Sequence, residues 1–241
     1  MQGPITWVKI GNLNIALALM LLLLAFQPGA DPHVVAAKKA EAAGDFTTAE
    51  SEYQKALAIR ADGEIFQRLG LVRHLQNEFS RAIPAFEEAI HLKPDLWGAY
   101  LFLGIDYYRT NQFPKALTAL ARASELQPDQ PEVQFWLGTT HIALKQFLEG
   151  QEILEELSRR QRENLEVLRI LAQSYSDYAV ALHNQLAAEH PDSAWAFRVH
   201  GRALENEGFC EAAVIEYRKA LALKPDMDGI QEAITRCKKA N

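Results

Sequence analysis

Between Asn77 and Asp95 the apolar residues Phe79, Ala82, Phe86 and Ala89 recur every three or four positions, and Pro94 closes the stretch. That is the stripe of an amphipathic helix and not the alternation of a strand. The same set returns 34 residues later (113 − 79) as Phe113, Ala116, Leu120, Ala123 and Pro128. Upstream, Phe46, Ala49, Tyr53 and Ala56 keep the spacing one residue out of step; downstream, Ala213, Tyr217, Ala220 and Pro225 resume it. A second series, Leu69-Gly70, Leu103-Gly104, Leu137-Gly138 and Leu171-Ala172, advances by the same step. Two independent markers with one period predict a repeat array in which each unit packs on its neighbours.

Each period holds two helices. Tyr100, Leu103, Gly104 and Tyr107 form the stripe of a first helix, and Phe113, Ala116, Leu117 and Leu120 that of a second. Asn111 and Gln112 make the turn between them, and Pro114 falls in the first turn of the second helix, where its missing donor costs little. Gly104 beside Ala116, and Gly138 beside Gly150, let the two axes approach. The pairs Pro94-Asp95, Pro128-Asp129, Pro191-Asp192 and Pro225-Asp226 end the units; the proline stops a helix and the Asp is suited to cap the next one. From Pro128 to Pro191 is 63 residues, which is 34 plus 29, so five residues are missing after Ala172. The spacing predicts a shortened fifth hairpin there. At the end of the chain, Ile230, Ala233, Ile234 and Cys237 share one face of a closing helix whose other faces are polar.

The L-G pairs, the A-x3-F or A-x3-Y spacing and the terminal prolines resemble the tetratricopeptide repeat family over roughly residues 31–241. The resemblance implies an all-α fold, a right-handed superhelical α-solenoid of about six helix-turn-helix hairpins with repeats near 31–62, 63–96, 97–130, 131–164, 165–193 and 194–227, and a closing helix at 228–241. It further implies that the first helices line a concave groove that binds a protein or peptide. Stepping along the period places Leu71 and His74, then Leu101, Ile105 and Tyr108, then Phe135, Thr139 and Ile142 in that groove, followed by Arg169, Arg198 and Arg202. Such a groove is apolar in the middle and cationic toward the C-terminal end, which suits an apolar helix or extended peptide carrying an acidic residue. Some family members clamp a C-terminal carboxylate with Lys and Asn; Val34, Lys38, Gln67 and Leu71 do not make that set.

Nearly half of the 241 residues are hydrophobic and Gly and Pro are few, so the chain has a core to bury. The first 30 residues hold one charge, Lys9, and the apolar run Leu13–Phe26. Fourteen residues fall short of the roughly 20 of a membrane-spanning helix and match the hydrophobic region of an export signal. The expectation is a cleaved signal peptide over 1–30 ending at Ala30, and a periplasmic or secreted product of bacterial type; the alternative is an uncleaved anchor that tethers the array to a membrane. Without those residues the charge is 24 − 31, or −7. A body so charged lacks the basic stripe that would neutralise phosphates, which argues against nucleic acid as partner.

No phosphate-cradling Gly loop, H-E-x-x-H, G-x-S-x-G or C-x-x-C occurs in the chain. The seven His are scattered, and a copper site at His33 fails because Pro32 has no amide proton to lose. Neither catalysis, nor a cofactor, nor a metal, nor a small-molecule substrate is expected. The two cysteines leave two readings open. Cys210 and Cys237 fall at similar heights on helices folded about Pro225, so they either bridge, as an exported protein permits, or pack as two small buried hydrophobes.

Overall fold

The computed structural model describes residues 31–240. The expected export signal or anchor, residues 1–30, lies outside them. Among the described residues there are twelve α-helices and no strand. The chain divides between Leu126 and Gln127 into two compact units.

In the first unit three antiparallel hairpins stack in chain order: α1 (Pro32–Ala42) with α2 (Phe46–Ile59), α3 (Gly63–Leu75) with α4 (Phe79–Leu92), and α5 (Trp97–Arg109) with α6 (Phe113–Leu126). Within this unit α2 and α4 each pack on their own first helix and on the first helix of the following hairpin, which is the solenoid arrangement. The second unit holds the hairpin α7 (Pro131–Ala143) and α8 (Phe147–Arg160), the long α9 (Leu165–Glu189), the hairpin α10 (Ala194–Asn206) and α11 (Cys210–Leu223), and the closing α12 (Ile230–Ala240).

Every hairpin core is built around one close approach. A small residue on the first helix (Ala37, Gly70, Gly104, Gly138, Gly201) faces a large one 16 positions on (Tyr53, Phe86, Leu120, Leu154, Tyr217), and all of the large ones are buried. A Cβ added to Gly104 would stand 2.5 Å from Leu120 Cγ, and one on Gly70 would stand 2.7 Å from the Phe86 ring. Burying each such side chain contributes about 1.5–3 kcal/mol, and the glycine is what admits it.

The turns are as regular as the cores. Gly44, Asn77, Asn111, Lys145 and Gly208 all have φ between 60° and 84°. A left-handed residue there lets the next amide reach back to the helix: Gln112 N–H donates to the Tyr107 carbonyl at 2.8 Å and Gln146 N–H to that of His141 at 2.9 Å. Gly and Asn enter this conformation readily, whereas Lys145 does so at a cost.

Two expectations are corrected. The fifth hairpin, expected at 165–193, is one unbroken 25-residue helix. Five fewer residues leave no room for a turn and a full second helix, and no Gly or Pro interrupts Leu165–Glu189. The Asp of the Pro-Asp pairs also does not cap the following helix. Leu96 and Gln130 hold the N-cap positions of α5 and α7 without a side-chain bond, and Ser193, not Asp192, accepts from Ala196 N–H at 3.1 Å. The proline turn uses one residue more than the expectation assumed, so Asp95 offers its backbone carbonyl to Trp97 instead.

Candidate functional site

Four positions after the small residue of each first helix stands a side chain that closes over the core: Glu41, His74, Tyr108, Ile142 and Glu205. What stands there follows what lies beneath it. Where the core residue is Tyr, its hydroxyl needs an acceptor, and Glu41 accepts from Tyr53 at 2.7 Å and Glu205 from Tyr217 at 2.6 Å. Burial, with the carboxylate beside it, pushes the Tyr217 phenol up; the same hydroxyl, with Arg236, holds the Glu205 carboxyl below the ordinary range. Where the core residue is Phe86, Leu120 or Leu154, the position is His74, Tyr108 or Ile142. Three of the residues assigned to the groove by spacing therefore first serve to cover a hairpin core. The Tyr–Glu pairs were not anticipated, although two Glu–Tyr pairs 12 residues apart were there to be seen in the sequence.

His74 has a further partner. Its Nδ1 lies 2.5 Å from Oδ1 of Asp106 in the next hairpin, and its ring packs edge-on against Phe79 and Phe102. Asp106 is fully buried, and its second oxygen has no hydrogen-bond partner among the described residues. Burial holds its carboxyl above the ordinary range, against the opposing pull of His74. This pair ties α3 to α5, and it turns His74 into the inter-repeat core and away from a binding surface.

The remaining groove candidates separate by exposure. Leu101, Ile105 and Thr139 are buried between helices, and the Thr139 hydroxyl donates to the Phe135 carbonyl at 2.7 Å; these three are core residues and are withdrawn from the groove. A first helix packed on both sides has a wide buried arc, so the steps of three and four that mark a groove also mark a core. Leu71, Tyr108, Phe135 and Ile142 are half-buried. Tyr108 lies edge-on to Phe113, with ring centres 5.2 Å apart, while Phe135 and Ile142 pack against the cluster of Leu154, Leu157, Val167 and Leu171. Arg169 is held by Glu166 of its own helix at 2.6 and 2.9 Å. Arg198 lies over the Trp195 ring, 5.5 Å from its centre, and Arg202 is exposed.

Cys210 and Cys237 sit in one hydrophobic cluster with Tyr217, Met227 and Ile230, and both are free thiols. Burial raises the Cys237 thiol, and Cys210 beside it acts in the same direction, so Cys237 is held away from the reactive thiolate. Among the described residues no group of three His, Cys, Asp or Glu side chains is placed to hold a metal ion.

Two grooves stand out, one in each unit. In the first, Val34 and Lys38 of α1 and Ile65 and Arg68 of α3 line about 590 Å³ over Tyr53 and Ala56. In the second, a groove of about 450 Å³ runs between α9 and α10.

The stacked hairpins, their 34-residue step and the glycine-to-core register meet in one sequence family. A tetratricopeptide repeat profile matches residues 73–134 and 108–174, and a second one matches residues 34–96, so that together they span 34–174, more than half of the chain. The chain belongs to the tetratricopeptide repeat family. Among solved structures it is similar to a tetratricopeptide repeat protein from Parabacteroides merdae, at 15% identity and a TM-score of 0.53, over 95% of this chain and 93% of that one. It is also similar to a MamA protein, at 21% identity and 0.51, over 80% and 90% of the two chains. A third is MamA from Desulfovibrio magneticus, at 15% identity and 0.50, over 82% and 96%. At these identities the likeness is one of fold. No curated protein matches the chain. For this tetratricopeptide repeat protein the family thus accounts for the α-solenoid and for the glycines, while the unbroken α9 is a departure from its 34-residue step.

Proposed function

We propose that this tetratricopeptide repeat protein is a non-catalytic scaffold that takes up a segment of a partner protein along its first helices. The observation that carries the reading is apolar surface left on the first helices. Leu71 on α3, Tyr108 on α5 and Phe135 on α7 are partly open, while Leu101 and Ile105 beside them are buried. Half-open apolar and aromatic side chains on rigid helices are what an incoming helix or extended peptide buries. The setting we propose is outside the cytoplasm, with residues 1–30 acting as a cleaved export signal. A second reading, favoured by the apolar run Leu13–Phe26, keeps that segment in the membrane and makes the array a tethered adaptor of an envelope complex.

Crosslinking in the native host followed by mass spectrometry tests the scaffold. Partners are expected at the first helices, and Tyr108→Ala with Phe135→Ala is expected to release at least one of them; if every recovered partner stays bound, the assignment to the first helices fails. The mass of the mature protein separates the two settings, a loss of about 30 residues marking export and an intact N-terminus in the membrane fraction marking the tether.

A further inference from the structure

The fifth unit of the array lacks what every other unit has. In the hairpins, a second helix lies against its own first helix and covers it. At α9 no second helix follows: α10 packs directly on α9, and from Tyr175 to Glu189 not one residue is buried. Tyr175, Val180, Leu182 and, across on α10, Trp195 are between 44 and 55% exposed. This is the largest departure from the repeat, and it leaves apolar surface on a rigid helix without a cover.

The uncovered surface has a shape and a charge. Ala179, Val180 and His183 on α9 and Trp195, Arg198 and Arg202 on α10 face one another across the groove of about 450 Å³. Ser176, Ala179 and His183 on one side and Trp195, Arg198 and Arg202 on the other follow the three-and-four step of a helix face, so the groove is a trough between two helices, the form into which a third helix packs. From Trp195 to Asn206 its wall runs 12 residues, about 16 Å end to end at 1.5 Å per step, or three helical turns. None of the lining residues is acidic, in a chain whose net charge is −6. Lys224 adds a third cation, 5.1 Å from the centre of the Trp195 ring. Glu205, the carboxylate whose field reaches Arg202, is already engaged by Tyr217 and by Arg236 at 3.0 Å.

We infer that this trough is the docking site for an amphipathic helix of a partner protein, with acidic residues beside its apolar face, seated where the fifth hairpin would have carried its second helix. The inference rests on the scaffold reading and names the partner for one part of its surface. Val180, Ala179 and the Trp195 ring receive the apolar face, and Arg198, Arg202 and Lys224 meet the carboxylates. A paired guanidinium at a half-desolvated rim sets orientation and excludes basic helices more than it adds affinity. A trough recessed between two helices suits a helix better than a flat lipid surface.

The test uses the full chain and two fluorescein-labelled 18-residue helical peptides. One carries a Leu/Ala face flanked by Glu; the other has Lys at every Glu position. Anisotropy is expected to show binding of the Glu peptide only, with the affinity reduced about tenfold or more by Val180→Glu and by Arg202→Glu, both surface changes that leave the far-ultraviolet spectrum and denaturation midpoint in place. Equal binding of the two peptides, no binding of the Glu peptide, or binding indifferent to both substitutions overturns the inference. So does sedimentation as a dimer that Val180→Glu abolishes, which assigns the trough to a second copy, and so does cosedimentation with phosphatidylglycerol vesicles that Arg202→Glu abolishes, which assigns it to a membrane. Crosslinked host partners that respond to Tyr108→Ala but not to Val180→Glu leave the scaffold standing and remove this site alone.

Discussion

Tyr217 shows how a single side chain ties a hairpin together and gives it a pH dependence. Its ring fills the space opened by Gly201, and its hydroxyl donates to Glu205 on the facing helix. Glu205 titrates below its ordinary value of 4.5 in the folded chain, because Tyr217 and Arg236 favour its ionised form. A carboxyl with a lowered folded value adds stability at pH above its unfolded value, and that stability is lost as the pH falls through the folded one. Tyr217→Phe keeps the ring and removes the donor. It is expected to cost about 1 kcal/mol at pH 7, with the difference from wild type shrinking below pH about 4; urea denaturation at the two pH values measures it, and a cost that does not change with pH contradicts the account. Asp106 runs in the opposite sense. Burial raises its folded value, so its contribution is full below the ordinary carboxyl range and declines as the pH rises through the raised one.

For the helices, the decisive quantity is the distance between two axes. Gly150 on α8 sits against α7 so closely that an added Cβ would lie 2.7 Å from the Gly138 carbonyl oxygen and 3.1 Å from the Ile142 nitrogen. Backbone atoms held in two helices cannot step aside. Gly150→Ala is expected to destabilise the second unit by about 1–3 kcal/mol despite the better helix propensity of Ala. Gly98 provides the control: its added Cβ meets only the Gln67 amide, the free end of a flexible side chain, so Gly98→Ala is expected to fall between no change and a gain of about 0.5 kcal/mol. Chemical denaturation of the two variants decides the point, and equal effects would show that propensity and not close approach governs these positions. The pairing of Gly138 with Gly150 is legible in the sequence, whereas nothing there marks Gly98. The unbroken α9 is not legible there either: the missing five residues were counted correctly, but a count of residues does not say whether a shortened unit keeps its turn. No Gly or Pro stands between Leu165 and Glu189 to impose one, so the helix continues.

Across the molecule, an array is only as stable as the neighbours each unit touches. The closing helix α12 covers Ala213, Tyr217 and Ala220 with Ile230, Ala233, Ile234 and Cys237, all of them buried. Ending the chain before Met227 strips that cover. Hydrogen exchange is expected to accelerate through α10 and α11 while the hairpins of residues 31–126 keep their protection, because α12 packs on α11 within the second unit. Uniform loss of protection along the chain would mean that the array unfolds as one body.

The sequence by itself determined the repeat, because two periodic series, one of apolar residues and one of glycines, admit no other way to hide an apolar stripe than to stack one hairpin on the next. It also marked the turn at Asn111 and the prolines past the helix ends, since Asn and Pro act through the local backbone. Only the tertiary structure decided which first-helix residues are surface. Leu101, Ile105 and Thr139 share the spacing of Leu71 and Tyr108, but a helix flanked on both sides buries more of its circumference than its own pattern records. His74 likewise faces the core because Asp106, 32 residues away, receives it. And the trough beside Trp195 exists only because two helices that sequence reasoning held apart by a turn and a third helix come to lie side by side.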